Sequence, residues 1–394
     1  IRVQPRSSSR IVRDWRRIDR KMFTDAIRNS KLATPSATAT AAELFDIYHE
    51  TLTELANRFA RPHRVHSRYR PLTPWFYTEC IMLRRKCRCL EQRYRRTCCP
   101  SDRLAWVQSL RDKHATLIEK ERSYWLAKIA VANGDSRKLW KSLAGVLYKD
   151  KTTSDEPASC PHSADDLLQF FQDKVATVRA STGAAAAPVV PQLAPSTLDH
   201  LRTYTEDEVR QIIMDSPAKS CALDPIPTFL LREMVDVLLP FLTAMCNASL
   251  REGNLPQSQR HAIVQPHLKK SSLDPSDKKN YRPVSNLTFM SKVVERMVAQ
   301  QLTDYFERNN LLPELQSAYR RGHSTETALL CVVSDLLQSV DSGLVTLLGL
   351  LDLSAAFDTV DHEVLIQRLR TSFGITGIPL AWVESFLTNR TQEV

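Results

Sequence analysis

The chain has 394 residues, 43% hydrophobic and 25% charged, with a formal net charge of +10. That length allows two or three cored domains, and the composition reads as soluble and globular. No apolar run reaches the roughly 18–20 residues that span a bilayer, and no signal peptide is visible, so no secretory or transmembrane segment is read in these residues and an intracellular place, cytoplasm and nucleus, is expected.

The net charge hides an asymmetry. Residues 1–150 carry 32 Lys and Arg against 15 Asp and Glu, a net of +17, whereas 151–394 carry 22 against 29, a net of −7. A basic region set apart in this way points to a polyanion partner, most simply nucleic acid.

In chain order, residues 1–150 read as a basic helical segment. RRIDRKMFTDAIRNS spaces Ile, Phe and Ile among charges. LTPWFYTECIMLRRKCRCLEQRYRR (72–96) offers Thr73 as N-cap and Pro74 as first helical residue. It carries Arg84, Arg85, Lys86 and Arg88 as candidate nucleic-acid contacts. DRLAWVQSLRDKHATLIEKERSYWLAKIA (102–130) has one polar and one aromatic-apolar side. A solvated helical hairpin accounts for both. A nucleic-acid surface accounts also for Arg beside Trp and Tyr, which suits backbone and stacking contacts.

The chain holds nine cysteines, five of them crowded at 80, 87, 89, 98 and 99. Their spacing fits zinc ligation poorly, so no zinc is expected and free thiols are.

Residues 151–200 form a short helix and a linker. DDLLQFFQDKVATV (165–178) is amphipathic, and its Asp165-Asp166 pair reads as a helix N-terminus rather than a metal site. ASTGAAAAPVVPQLAPS (180–196) is Ala- and Pro-rich and reads as flexible.

From 201 the pattern is that of a packed domain. YTEDEVRQIIMDSP has a capping box, Thr205 and Glu208. Helices follow over 221–256, then a strand over 261–270 ending in two lysines, then DKKNYRPVSNLT as an irregular loop. Residues 291–310 form an amphipathic helix with Val294, Met297, Val298, Leu302 and Phe306 on one face. QSAYRRGHST is a basic loop leading into another such helix. LVTLLGLLDL (344–353) suits a buried strand, and a helix from about 361 ends at Gly374.

Two groups here could carry chemistry. Asp352 ends the apolar run 344–353, where a carboxylate is costly unless paired or metal-bound; a cap or surface turn is the plain alternative. Lys269, Lys270, Lys278, Lys279 and Arg282 surround one loop and could hold phosphate, as could Arg320 and Arg321 beside Gly322. A solvated lysine loop is the plain alternative there.

Taken in order, AIVQPHLKK, NYRPVSNLTFMSKVVERMVAQQL, LLPELQSAYRRGHSTETALL and LLGLLDLSAAFDTVDHEVLIQRL resemble the reverse transcriptase of non-LTR retrotransposons of the jockey-like and chicken-repeat-like kind. The resemblance covers 201–394 strongly. Residues 1–150 are similar, more weakly, to the segment between endonuclease and polymerase. It implies a mainly α, α+β fold: right-hand polymerase fingers over 201–343 and the first part of the palm over 344–394. The implied activity is RNA-directed DNA polymerase, a nucleotidyltransferase with RNA template, DNA primer and dNTP. The implied cofactor is Mg2+ or Mn2+.

By the same resemblance Asp352, with Leu353 beside it, is the metal position and Asp352 the catalytic one. Phe357 crowds the sugar 2′ position, and Ala355 and Ala356 lie near the triphosphate. Lys269, with Lys270 its rival, and Arg282 grip the nucleotide. Arg320 and Arg321 fall in a nucleic-acid-binding loop where Tyr319 replaces the usual Phe. Asp358, Asp361 and His362 become turn, cap or surface residues. The family's later Gly-Pro-Gln-Gly loop and aromatic-x-Asp-Asp hairpin do not occur in the 394 residues. With Ile1 at its start, the chain reads as a fragment of a longer polyprotein, inactive by itself. The rival expectations are a non-catalytic RNA- or DNA-binding module and a functionless relic.

Overall fold

A computed structural model describes residues 8–36, 38–67, 75–131, 139–140, 161–182, 196–270, 272–353 and 356–394. The chain divides into two compact units, one drawn from 1–10 and 64–159, the other from 11–63 and 160–394. Residues 11–63, which composition groups with the basic segment 1–150, pack in the second unit. The described residues are mainly helical with a few short strands.

The elements run as follows. Strand β1 is Ser8–Val12, helix α1 is Arg20–Arg28 and α2 is Ala41–Phe59. Strand β2 is His63–Ser67, α3 is Thr78–Thr97, α4 is Pro100–Val131 and α5 is Ala164–Thr182. Then come α6 (Glu206–Asp215), α7 (Thr228–Glu233), α8 (Val235–Glu252), β3 (His261–Leu268) and β4 (Tyr281–Asn286). Last are α9 (Phe289–Arg308), α10 (Thr325–Asp341), α11 (His362–Thr371), α12 (Gly377–Leu387) and β5 (Thr391–Glu393). Among the described residues no helix is long and apolar enough to cross a membrane.

In the first unit α3 and α4 pair as a hairpin. Cys80 and Cys87 are buried on α3, and the Cys87 thiol donates to the Ser109 carbonyl of α4 at 3.0 Å. These thiols fill the narrow stripe between two otherwise solvated helices. Leu104, Ile118 and Leu126 of α4 stay exposed. The helix starts at Thr78 after Tyr77 as N-cap, not at Thr73 and Pro74, which lie outside the described residues.

The core of the second unit lies around α8, apolar on nearly every face, with α1, α2, α6, α9 and α12 packed against it. Helix α2 buries Leu44, Phe45, Tyr48, Leu52 and Leu55 at helical spacing. The side chain of Glu252 at the end of α8 accepts from the Ala41 amide at 2.8 Å, so one helix caps the start of another. Both capping boxes, Thr40 with Glu43 and Thr205 with Glu208, are formed. Gly374 takes a left-handed φ of 67° behind α11.

A three-stranded sheet has the order β4-β3-β5. Strands β3 and β4 are antiparallel from Ile263↔Asn286 to Leu268↔Tyr281, and β5 runs parallel to β3 over His261↔Thr391 to Ile263↔Glu393. The segment YRPVSN, expected as irregular loop, is therefore strand. Its Pro283 is tolerated because β4 is an edge. Pro266 of β3 lies beyond the reach of β5, so its missing N–H leaves no ladder partner unmet.

The strand expected over 344–353 does not form: those residues carry no strand assignment, and Val345, Leu347, Leu350 and Leu351 are 85–100% exposed. A strand needs a neighbour to take its backbone hydrogen bonds, and none is present among the described residues. Helix α10 likewise buries none of its residues, leaving Leu329, Leu330, Leu337 and Val340 exposed.

Candidate functional site

Three stretches of the second unit carry the expected site residues. The first is the β3–β4 loop. The hairpin continues past β3 through the Lys269 amide, which donates to the Asn280 carbonyl at 2.9 Å. The Lys269 ammonium turns back to the Lys279 carbonyl at 2.7 Å. Asp274 accepts from the Ser276 amide, and Asp277 accepts from the Lys279 amide at 2.9 Å, so each Asp closes a turn. The Tyr281 hydroxyl donates to the Pro275 carbonyl at 3.0 Å. Lys270, Lys279 and Arg282 are exposed around this loop. Lys278 differs: its ammonium meets a carboxylate oxygen of Asp166 at 3.2 Å.

The second stretch is the loop before α10. Here Nη1 of Arg320 donates to the carbonyls of Pro313, Glu314 and Gln316 at 3.2–3.3 Å. The guanidinium therefore organises its own loop. Arg321 is exposed. Tyr319 has a left-handed φ of 61°, rare for an aromatic residue. Its ring lies edge-on to Phe357, 6.3 Å between centroids at 79°. That contact brings QSAYRRGHST and LDLSAAFDTVDH together, although Tyr319 is 84% and Phe357 76% exposed.

The third stretch holds Asp352, which is exposed at the end of the unpaired run, with Leu353 exposed beside it. Ala356 is exposed, and Ala355 lies outside the described residues. Among the described residues no group of three or more His, Cys, Asp and Glu converges to hold a metal ion. The described residues therefore do not assemble a metal site. Asp361 caps α11, accepting from the Glu363 and Val364 amides at 3.0 and 3.1 Å.

In the first unit Arg84, Arg85, Lys86 and Arg88 are all exposed on α3. Tyr94 of α3 stacks on Trp106 of α4 at 5.8 Å and 21°. Arg93 pairs with Asp102 at 3.0 Å, and Lys120 with Glu79 at 2.8 Å. The latter two cations brace the hairpin.

Two features escape sequence reading. The Asp166–Lys278 pair joins residues 112 apart. Asp224 accepts from the amides of Cys221 and Phe289, at 2.8 and 2.7 Å, tying a turn to the start of α9. Burial raises its carboxyl above the usual range against the pull of those hydrogen bonds.

Residues 268–394 match the family model for reverse transcriptase (RNA-dependent DNA polymerase). Over 295 residues the chain is 25% identical to the probable RNA-directed DNA polymerase from transposon BS of Drosophila melanogaster, covering 70% of this chain and 32% of that protein. Over 198 residues it is 29% identical to the RNA-directed DNA polymerase from mobile element jockey of the same fly, covering 49% and 21%. Over 316 residues it is 25% identical to the probable RNA-directed DNA polymerase from transposon X-element, covering 74% and 34%. The chain thus spans about a third or less of the length of these relatives.

Proposed function

We propose that this chain, whose residues 268–394 belong to the reverse-transcriptase family, carries the nucleotide-gripping part of an RNA-directed DNA polymerase of non-LTR retrotransposon type. The observation that carries the reading is the order of its blocks. The lysine hairpin, the Tyr319–Arg321 loop and the Asp352–Phe357 stretch follow one another within or beside the matched residues. On this reading 201–343 act as fingers and 344–394 as the opening of the palm. Lys269, Lys270 and Arg282 take the triphosphate. Ala355 and Ala356 lie beside it through their backbone. Phe357 stands against the sugar 2′ position and excludes a hydroxyl there.

Asp352, with Leu353, would contribute to holding Mg2+ or Mn2+, the divalent ion that supplies charge neutralisation and an activated 3′-hydroxyl in such enzymes. One aspartate of this kind cannot hold two ions. A polypeptide of residues 1–394 is therefore expected to incorporate no dNTP on an RNA template with annealed DNA primer. Robust extension by that polypeptide, abolished by Asp352→Ala, would overturn the expectation of inactivity.

A second reading is favoured by α3. The exposed cations along the helix, Arg84, Arg85, Lys86 and Arg88 among them, and its stacked Tyr94–Trp106 pair suit RNA or DNA binding that does not depend on the palm. The steepness with which salt weakens RNA binding by this chain tests it.

A further inference from the structure

Among the described side chains of helix α5, Leu167, 1% exposed, is the one that is buried. Two more contacts come from its first turn and the residues before it. The His162 ring lies edge-on to Tyr281 at 6.0 Å, and Asp166 meets Lys278 at 3.2 Å. Tyr281 and Lys278 belong to the β3–β4 hairpin, so the start of α5 sits on the loop that carries the cluster of cations.

The contact has two opposed qualities. Asp166 is well made as an anion. The Ser163 hydroxyl donates to its Oδ2 at 2.8 Å, and Lys278 reaches its Oδ1; both, the Ser163 bond first, hold its carboxyl below the usual range. The docking is nonetheless imperfect. His162 Nε2 is buried without a hydrogen-bond partner, which counts against the docked state. Asp166 remains 56% exposed and Lys278 33%, so solvent and competing anions reach both.

A carboxylate on a lysine occupies the place a phosphate oxygen would take, because both are anionic acceptors for the same ammonium. We propose that the first turn of α5 is an autoinhibitory strap, with Asp166 standing on Lys278 in the place of a phosphate group of the incoming nucleoside triphosphate. The proposal rests on the reading of the β3–β4 loop as the triphosphate grip and adds Lys278 to Lys269, Lys270 and Arg282 as a cation of that grip. Binding of a triphosphate and docking of α5 then exclude each other, and the loop is partly neutralised until nucleotide displaces the strap.

The test is the affinity of the 1–394 polypeptide for Mg2+-dTTP, measured by equilibrium dialysis. Asp166→Asn keeps the size of the side chain and removes its charge. It is expected to tighten binding about twofold to fivefold, the range of an exposed ion pair. Lys278→Ala is expected to weaken binding, and Asp166→Asn is expected to change nothing when added to it. Hydrogen exchange supplies a second readout: saturating dTTP should speed amide exchange over 164–172 in the wild-type chain. If Lys278→Ala weakens binding while Asp166→Asn leaves it unchanged and exchange over 164–172 does not respond, the strap is overturned and the loop reading survives. If Lys278→Ala, Lys269→Ala and Arg282→Ala all leave dTTP binding unchanged, the loop reading fails and takes the strap with it.

Discussion

Asp224 sits in the turn CALDPIP and ties it to the start of α9 through two amides. Burial raises its carboxyl, so the folded chain holds a proton that the unfolded chain releases. Stability on this account falls as pH rises from the ordinary carboxylate value through the raised one. Asp224→Asn removes that dependence. The wild type should gain on the variant as pH is lowered from about 7 to about 4, read from urea unfolding midpoints. A difference that stays constant or shrinks on acidification would contradict the assignment. Arg320 makes a related point about single residues. Its position beside Gly322 is compatible with phosphate binding, yet its Nη1 is engaged by three carbonyls of its own loop. Neighbouring Arg321 is the exposed cation there.

At the scale of elements, Gly253 ends α8 with φ of 62°, and a Cβ there would meet the Ile378 carbonyl oxygen at 2.8 Å. Gly253→Ala therefore adds left-handed strain and a backbone clash, and should cost roughly 1–3 kcal/mol in chemical denaturation. A loss below a few tenths of a kcal/mol would show that α12 yields freely. Elements whose signals are local were legible in the sequence. The Thr205–Glu208 box, the Asp361 cap and the apolar face of α9 all lie within a turn or two of chain. Elements that depend on a distant partner were not. Strand β4 is disguised by Pro283 and exists because β3 lies beside it. The run 344–353 has the makeup of a buried strand, but apolar character reports a preference for burial and not the presence of something to be buried against. Asp166 was legible as an acid at a helix N-terminus, whereas its bond to Lys278 was not, for the same reason. The site residues follow this division. Their chemical types and order are written in the sequence; the contact of Tyr319 with Phe357 and the isolation of Asp352 are not.

At the scale of the molecule, the uneven charge has a measurable consequence. The surplus of cations in residues 1–150 includes four exposed on one helix, α3. Binding of a labelled single-stranded RNA by the 1–394 polypeptide should weaken steeply between about 50 and 200 mM salt. Changing Arg84, Arg85 and Arg88 together to Gln should lower the log–log slope by roughly 2, at about 0.7 per lost phosphate contact. Binding that ignores salt, or a triple variant that binds like the wild type, would count against a nucleic-acid role for α3.

The exposed run 344–351 sets how this polypeptide behaves in the test tube. LVTLLGLL has no charge and no proline, the makeup of segments that stack on copies of themselves into cross-β fibrils. Concentrated samples should turn cloudy after a lag that shortens with protein concentration and with added salt. One lysine placed by Leu347→Lys should lengthen that lag severalfold in light scattering, the gatekeeping effect of a charge inside an apolar stretch. An unchanged lag would move the origin of the clouding to some other surface. Any assay of this chain at high concentration is therefore a race against its own Leu-rich stretch.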